Sequence, residues 1–187
     1  MRIIIILSIL SLVACNKSEI ELKTLPPVTE TGANTFGMNV GWRTWITNGK
    51  YCSNQYGNCR DNPKANYYIN YSSNNVIMGF TADRVIYKGL GVSSSESFAV
   101  SFYSNFSGTG IYHLKKDDSY SNVQFDDHTN NKYYELLQER ETFELYITKF
   151  DTISKIISGR FSGILFNQYD RNDSINIHKG RFDIKLQ

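Results

Sequence analysis

The sequence predicts an all-β domain, an antiparallel β-sandwich or barrel of about nine or ten strands. Three observations carry this. Short runs alternate apolar and polar residues, as where Phe98, Val100 and Phe102 interleave with Ser97, Ala99 and Ser101. Aromatics are abundant, with 13 Tyr, 11 Phe and 2 Trp, and these residues favour strands. The runs are bounded by brief Gly, Asn, Asp and Ser clusters, so the connections suit antiparallel pairing. Helical periodicity is weak throughout. Its best stretch, Tyr133 to Glu141, reads equally as strand plus turn.

The chain opens with Met1-Arg2, an apolar run from Ile3 to Val13, and then Leu12-Val13-Ala14-Cys15. A positive start, a short apolar stretch and small residues make a secretory signal. The run is too short for a membrane span, which needs about 20 apolar residues. Leu-Val-Ala-Cys resembles the bacterial lipobox. That resemblance implies cleavage after residue 14, lipid on Cys15 and attachment to the outer membrane. An ordinary secreted protein cut nearby is the competing reading. Residues 15–35 then form a lipidated Cys and a flexible tether. Lys17, Glu19, Glu21 and Lys23 are charged there, and Pro26-Pro27 stiffens the middle. Residues 36–187 make a single β domain, large enough for its own core.

The first strand closes at Asn48-Gly49, and Cys52 and Cys59 follow in a loop rich in Gly and Asn. Outside the cytoplasm such a pair invites a disulfide. A metal site would need more ligands, and His113, His128 and His178 all lie far along the chain. Strands continue with Tyr67, Ile69 and Tyr71, then Val76, Met78 and Phe80, with Ser73-Asn74-Asn75 as the turn between them. Phe143, Leu145 and Ile147 alternate with Glu144, Tyr146 and Thr148.

The C-terminus reads as a hairpin. Residues 156–167 and 175–186 pair around the loop Gln168–Ser174. Phe182, Ile184 and Leu186 should be buried, and Arg181, Asp183 and Lys185 more exposed. Ile175 and Ile177 have the opposite parity. A bulge at Gly180 would return all five to one face, and a second apolar layer is the alternative.

Two stretches, Leu25-Pro26-Pro27 with Thr31-Gly-Ala-Asn-Thr-Phe-Gly37, and Ile157-Ser-Gly-Arg-Phe161 with Lys179-Gly-Arg-Phe-Asp-Ile184, resemble a family of Bacteroidota outer-membrane lipoproteins known only as a domain of unknown function. The resemblance implies an exported, lipid-anchored, mostly β domain and transfers no catalytic residue. Members often carry Cys after Phe-Gly, and here that position is Met38.

Charge and motifs narrow the function. A formal net charge of +2, with no run of five like charges, gives no electrostatic case for nucleic acid. There is no Gly-x-Ser-x-Gly motif and no phosphate loop, so no cofactor is expected. Asp126-Asp127-His128 is a weak metal candidate that reads better as a turn. Asn167, Asp170, Asn172 and Asp173 offer oxygens for calcium, but without the calcium-loop spacing. Asp83, Glu96, Asp117, Glu135 and Glu144 are the carboxylates from which a glycosidase pair would be drawn. Trp42 and Trp45 are candidates for stacking on a ligand. A flat strand would put one in the core and leave the other exposed.

The leading expectation is a non-enzymatic binding or structural domain of unknown specific role, with a membrane bound through lipid and a glycan or envelope protein as partner. A small glycan-acting hydrolase and a lipocalin-like small-ligand binder are the alternatives.

Overall fold

The structure is a computed structural model, and it describes residues 24–47, 50–52, 59–70, 75–88, 91–102, 106–116, 121–138 and 141–187. Cys15 and the signal segment lie outside these residues.

The strands are β1 (Thr35–Val40), β2 (Arg43–Ile46), β3 (Lys50–Cys52), β4 (Cys59–Asp61), β5 (Lys64–Asn70), β6 (Asn75–Lys88), β7 (Gly91–Phe102), β8 (Gly110–Leu114), β9 (Ser121–Asp127), β10 (Lys132–Glu135), β11 (Phe143–Asp151), β12 (Ile156–Asn167) and β13 (Ser174–Lys185). Eleven of them form one curled antiparallel sheet, and β3 and β4 pair separately. The all-β expectation holds. The strand number was underestimated because short strands such as β2, β8 and β10 carry too few residues to show alternation. The ambiguous stretch from Tyr133 begins as β10.

The sheet curls because β12 is shared. Its first part pairs with β11 and its end with β10, while β13 runs along its other edge. One half therefore holds β8, β11, β12, β13, β1 and β2. The other holds β10, β9, β7, β6 and β5. The far edge returns to the chain end through a single bridge between Ala65 and Leu186.

Aromatic rings fill the space between the halves. Phe36, Phe161 and Phe182 from one half meet Phe80 and Phe98 from the other. Phe98 stacks on Phe161 at 5.1 Å and Phe80 on Phe182 at 4.5 Å. All five rings are buried. Aromatic pairs of this kind add about 0.5–1.5 kcal/mol each beyond the area they bury.

Glycines make room for the rings. Gly159 faces Phe182 and Gly180 faces Phe161 across the β12–β13 ladder, so each ring lies over a glycine. A Cβ at either position would enter the ring.

The C-terminal hairpin forms in the expected register. Two β13 residues, His178 and Lys179, oppose the single Ser162, so the bulge stands next to Gly180. Lys179 is its left-handed residue, with φ of 54°. Ile177, Phe182, Ile184 and Leu186 are consequently all buried.

Asp183 is a correction. Expected on the solvent side, it is 1% exposed. It does point outward, but residues 24–34 cross that face and cover it. This segment has no strand, yet it is fastened as a strap. Residues 24–34 therefore pack against the β domain rather than standing off from it.

Candidate functional site

Asp183 is where the strap is fixed. Its Oδ2 accepts hydrogen bonds from Thr29 Oγ1 (2.6 Å), the Thr31 amide (3.0 Å), Thr31 Oγ1 (3.3 Å) and the Ala33 amide (3.1 Å). Its Oδ1 accepts from the Gly32 amide (2.8 Å) and Ser158 Oγ (2.7 Å). Burial pushes the carboxyl pKa up. Bonds from Thr29, Ser158, Ala33 and Gly32 together outweigh that and bring it to about 2. Asn34 adds a further tie, its side-chain oxygen accepting the Lys185 amide. The two stretches that carried the family resemblance are therefore one contact: the Thr-Gly-Ala-Asn turn wraps the Asp of Arg-Phe-Asp.

Upstream, Pro26 lies on Gly37, where an added Cβ would come within 2.6 Å of the proline ring. The Pro26 carbonyl accepts from Arg181 Nη1 at 3.0 Å, and the Glu30 carbonyl accepts from Lys149 Nζ at 2.8 Å. The strap becomes one wall of an open groove of about 500 Å³ on the outer face of β11, β12 and β13.

Two cross-strand rows form the groove floor. Tyr146, Arg160 and Arg181 are successive partners across β11, β12 and β13. Beside them run Glu144 and Ser162, with Lys179 at the bulge. Arg160 and Ser162 are exposed, and the Tyr146 ring is 43% exposed. Glu144 lies 3.9 Å from His113. Among the described residues, Arg160, Lys179 and Arg181 have no carboxylate partner. The groove is thus basic, with one aromatic face and one carboxylate at its margin.

A second polar cluster closes one end of the core. Glu96 is 4% exposed and accepts from Arg43 through both oxygens (2.6 and 2.9 Å), from Arg84 Nη1 (3.2 Å) and from Trp45 Nε1 (2.9 Å). The hydrogen bond to Glu96 raises the Arg43 pKa against its partial burial, with further help from the charges of Glu96 and Asp127. With both oxygens taken, Glu96 ties β2, β6 and β7 together and is not poised as an acid or base.

The other candidate residues are dispersed. Trp45 is fully buried, so it offers no face to a ligand, whereas Trp42 sits in the β1–β2 turn and is 96% exposed. The two are separated by that turn rather than by strand alternation. Asp126 accepts from Gln124, and Asp127 caps its turn through Thr129 and Asn130. His128 bonds Ser97. These three do not converge, and no group of metal-binding side chains occurs among the described residues.

Asn167 and Asp173 close the C-terminal loop on each other, and Lys132 and Tyr134 tie Asp173 to β10. Asp170 caps the turn through the Asn172 amide. Glu135 pairs with Lys116 at 2.9 Å. The Asp83 amide and Asn62 bond each other. Asp117 lies outside the described residues. Cys52 and Cys59 are direct cross-strand partners in β3–β4.

Residues 99–185 match a family described as a domain of unknown function (DUF5025). The match takes in β8 to β13, and so the groove floor, but not the strap. No curated protein and no solved structure matches the chain.

Proposed function

We propose that this chain is a lipid-anchored outer-membrane domain that binds a glycan or envelope partner in the groove beside its strap, and that it does not transform that partner. The observation that carries the reading is the groove itself. It presents three cations that have no carboxylate partner among the described residues, next to an exposed aromatic ring. Cations left without a carboxylate partner in a groove on an ordered sheet face are available to an anionic ligand. Of the carboxylates a hydrolase would draw on, Glu96 and Glu135 are held in ion pairs. The aromatic core leaves the described interior filled, which argues against a lipocalin-like cavity.

Anchoring rests on the lipobox-like Leu12–Cys15. Fully extended, the chain from Cys15 to Thr24 reaches about 30 Å, so the strap would hold the groove near the bilayer. A Cys52–Cys59 disulfide belongs to the same picture. Cross-strand partners have Cα atoms about 4.5–5.5 Å apart, within the range a disulfide spans. Thiol counting on denatured, unreduced protein should find neither of these two free.

The test is fractionation followed by binding. Cys15→Ser should release the protein from membranes or leave it unprocessed. The released protein should bind isolated cell-envelope material, and an Arg160→Gln/Arg181→Gln double variant should bind much less. A Cys15→Ser variant that is still cleaved and still fractionates with outer membranes would refute the anchor. Equal binding by the double variant would refute the groove.

A further inference from the structure

The groove chemistry indicates what it takes. We propose that it binds a carboxylated sugar, a uronate unit within an acidic glycan, with the carboxylate between Arg160 and Arg181 and the ring against Tyr146. This rests on the groove being the binding face.

Arg160 and Arg181 are direct partners across β12–β13. Like charges placed opposite each other on adjacent strands repel. A bound anion removes that repulsion, and planar guanidinium forks match the geometry of a carboxylate. Tyr146 is the next partner in the same row. Its exposed ring stands one strand from Arg160 and two from Arg181 in that row.

The second row supplies what the hydroxyls need. Glu144 is an acceptor and Ser162 both donates and accepts. A carboxylate in the wall disfavours densely charged polyanions such as nucleic acid. A glycan with one charge and several hydroxyls per ring meets each group with its complement.

Lys179 is the independent observation. It holds φ of 54° at the bulge, in a conformation that glycine takes without penalty. Lys179 is one of the residues that line the groove. Lys155 takes the same left-handed conformation away from the groove, so Lys179 is distinguished by its place beside the Arg160–Arg181 pair.

The experiment is calorimetric titration of the full chain in detergent with three probes: a galacturonic acid pentamer, neutral maltopentaose, and maltopentaose carrying sulfate. The galacturonate should bind and the neutral sugar should not. Arg160→Gln should weaken binding about tenfold or more, as expected for one lost charge-assisted bond. Lys179→Gly should weaken it as well, while melting at the same or a higher temperature, so that loss of fold cannot explain the result. If neutral maltopentaose binds as tightly and Tyr146→Ala abolishes it, the groove is a glycan site but the acidic assignment is wrong. Equal affinity for the sulfated sugar overturns the carboxylate assignment. No binding to any probe, with intact protein, overturns the sugar assignment, whereas the groove itself is overturned only by equal envelope binding of the Arg160→Gln/Arg181→Gln variant.

Discussion

Replacing Asp183 with Asn tests what holds the strap. Six hydrogen bonds converge on this carboxylate. Asparagine keeps the shape but loses the charge, and its amide nitrogen must face a donor. In the better orientation it lies at the Oδ1 position, where Ser158 can rotate to accept but the Gly32 N–H is left without a partner. A buried N–H without an acceptor costs about 1–3 kcal/mol. The charge can be gauged separately. A pKa brought from 3.8 to about 2 corresponds to about 2 kcal/mol of stability. The two estimates overlap, so the loss at neutral pH should be about 2–4 kcal/mol. For a domain of this size that lowers Tm by about 5–15 °C.

The pH dependence follows from the sign. The folded pKa lies below the unfolded value, so the contribution is complete above about pH 4 and fades as pH falls toward 2. Urea titrations at pH 7 and pH 2.5 should therefore show a wide gap between wild type and Asp183→Asn that narrows in acid. Hydrogen exchange supplies a local readout, because the Gly32 and Ala33 amides should exchange faster in the variant. A midpoint change below about 0.5 kcal/mol, with both amides still protected, would refute the idea that Asp183 fastens the strap.

Four further variants set a core position against one outside the core, in two pairs. Gly159→Ala puts a methyl group against the Tyr146 carbonyl oxygen and the Phe182 ring and should cost about 3 kcal/mol in denaturant titration. Gly41→Ala meets no neighbour, and its φ of 58° should cost only about 1 kcal/mol. Phe182→Ala should lose about 3–5 kcal/mol, since it empties a site between Phe80 and Phe161. Arg181→Ala should lose about 1 kcal/mol or less, the worth of its bond to the Pro26 carbonyl. Equal small losses for Phe182→Ala and Arg181→Ala would mean that the chain end is not part of the core.

Much of the sheet was legible because strand alternation is local. Phe98 and Val100, Phe143, Leu145 and Ile147, and Phe182, Ile184 and Leu186 each declare their face by spacing alone, and all are buried. The bulge was legible for the same reason, as a change of parity between Ile177 and Phe182. The groove was not. Arg160, Lys179 and Arg181 are ordinary surface residues in the sequence, and only the β12–β13 register makes two of them neighbours. Glu96 stood among the carboxylates, but nothing local marked it as the partner of Arg43, Arg84 and Trp45, which come from two other strands.

What the sequence by itself determined is the all-β class, the longer strands and the residues they turn inward, and the resemblance of its first fifteen residues to an export and lipidation signal. These depend on neighbours two to four positions apart. What only the tertiary structure decided is how distant segments meet: that Trp45 rather than Trp42 is buried, that Asp183 is covered by a strap some 150 residues earlier in the chain, and that three cations share one groove. Alternation fixes which side of a strand a residue takes. It does not encode what lies on that side, because that depends on strand order, register and the path of segments with no periodicity of their own.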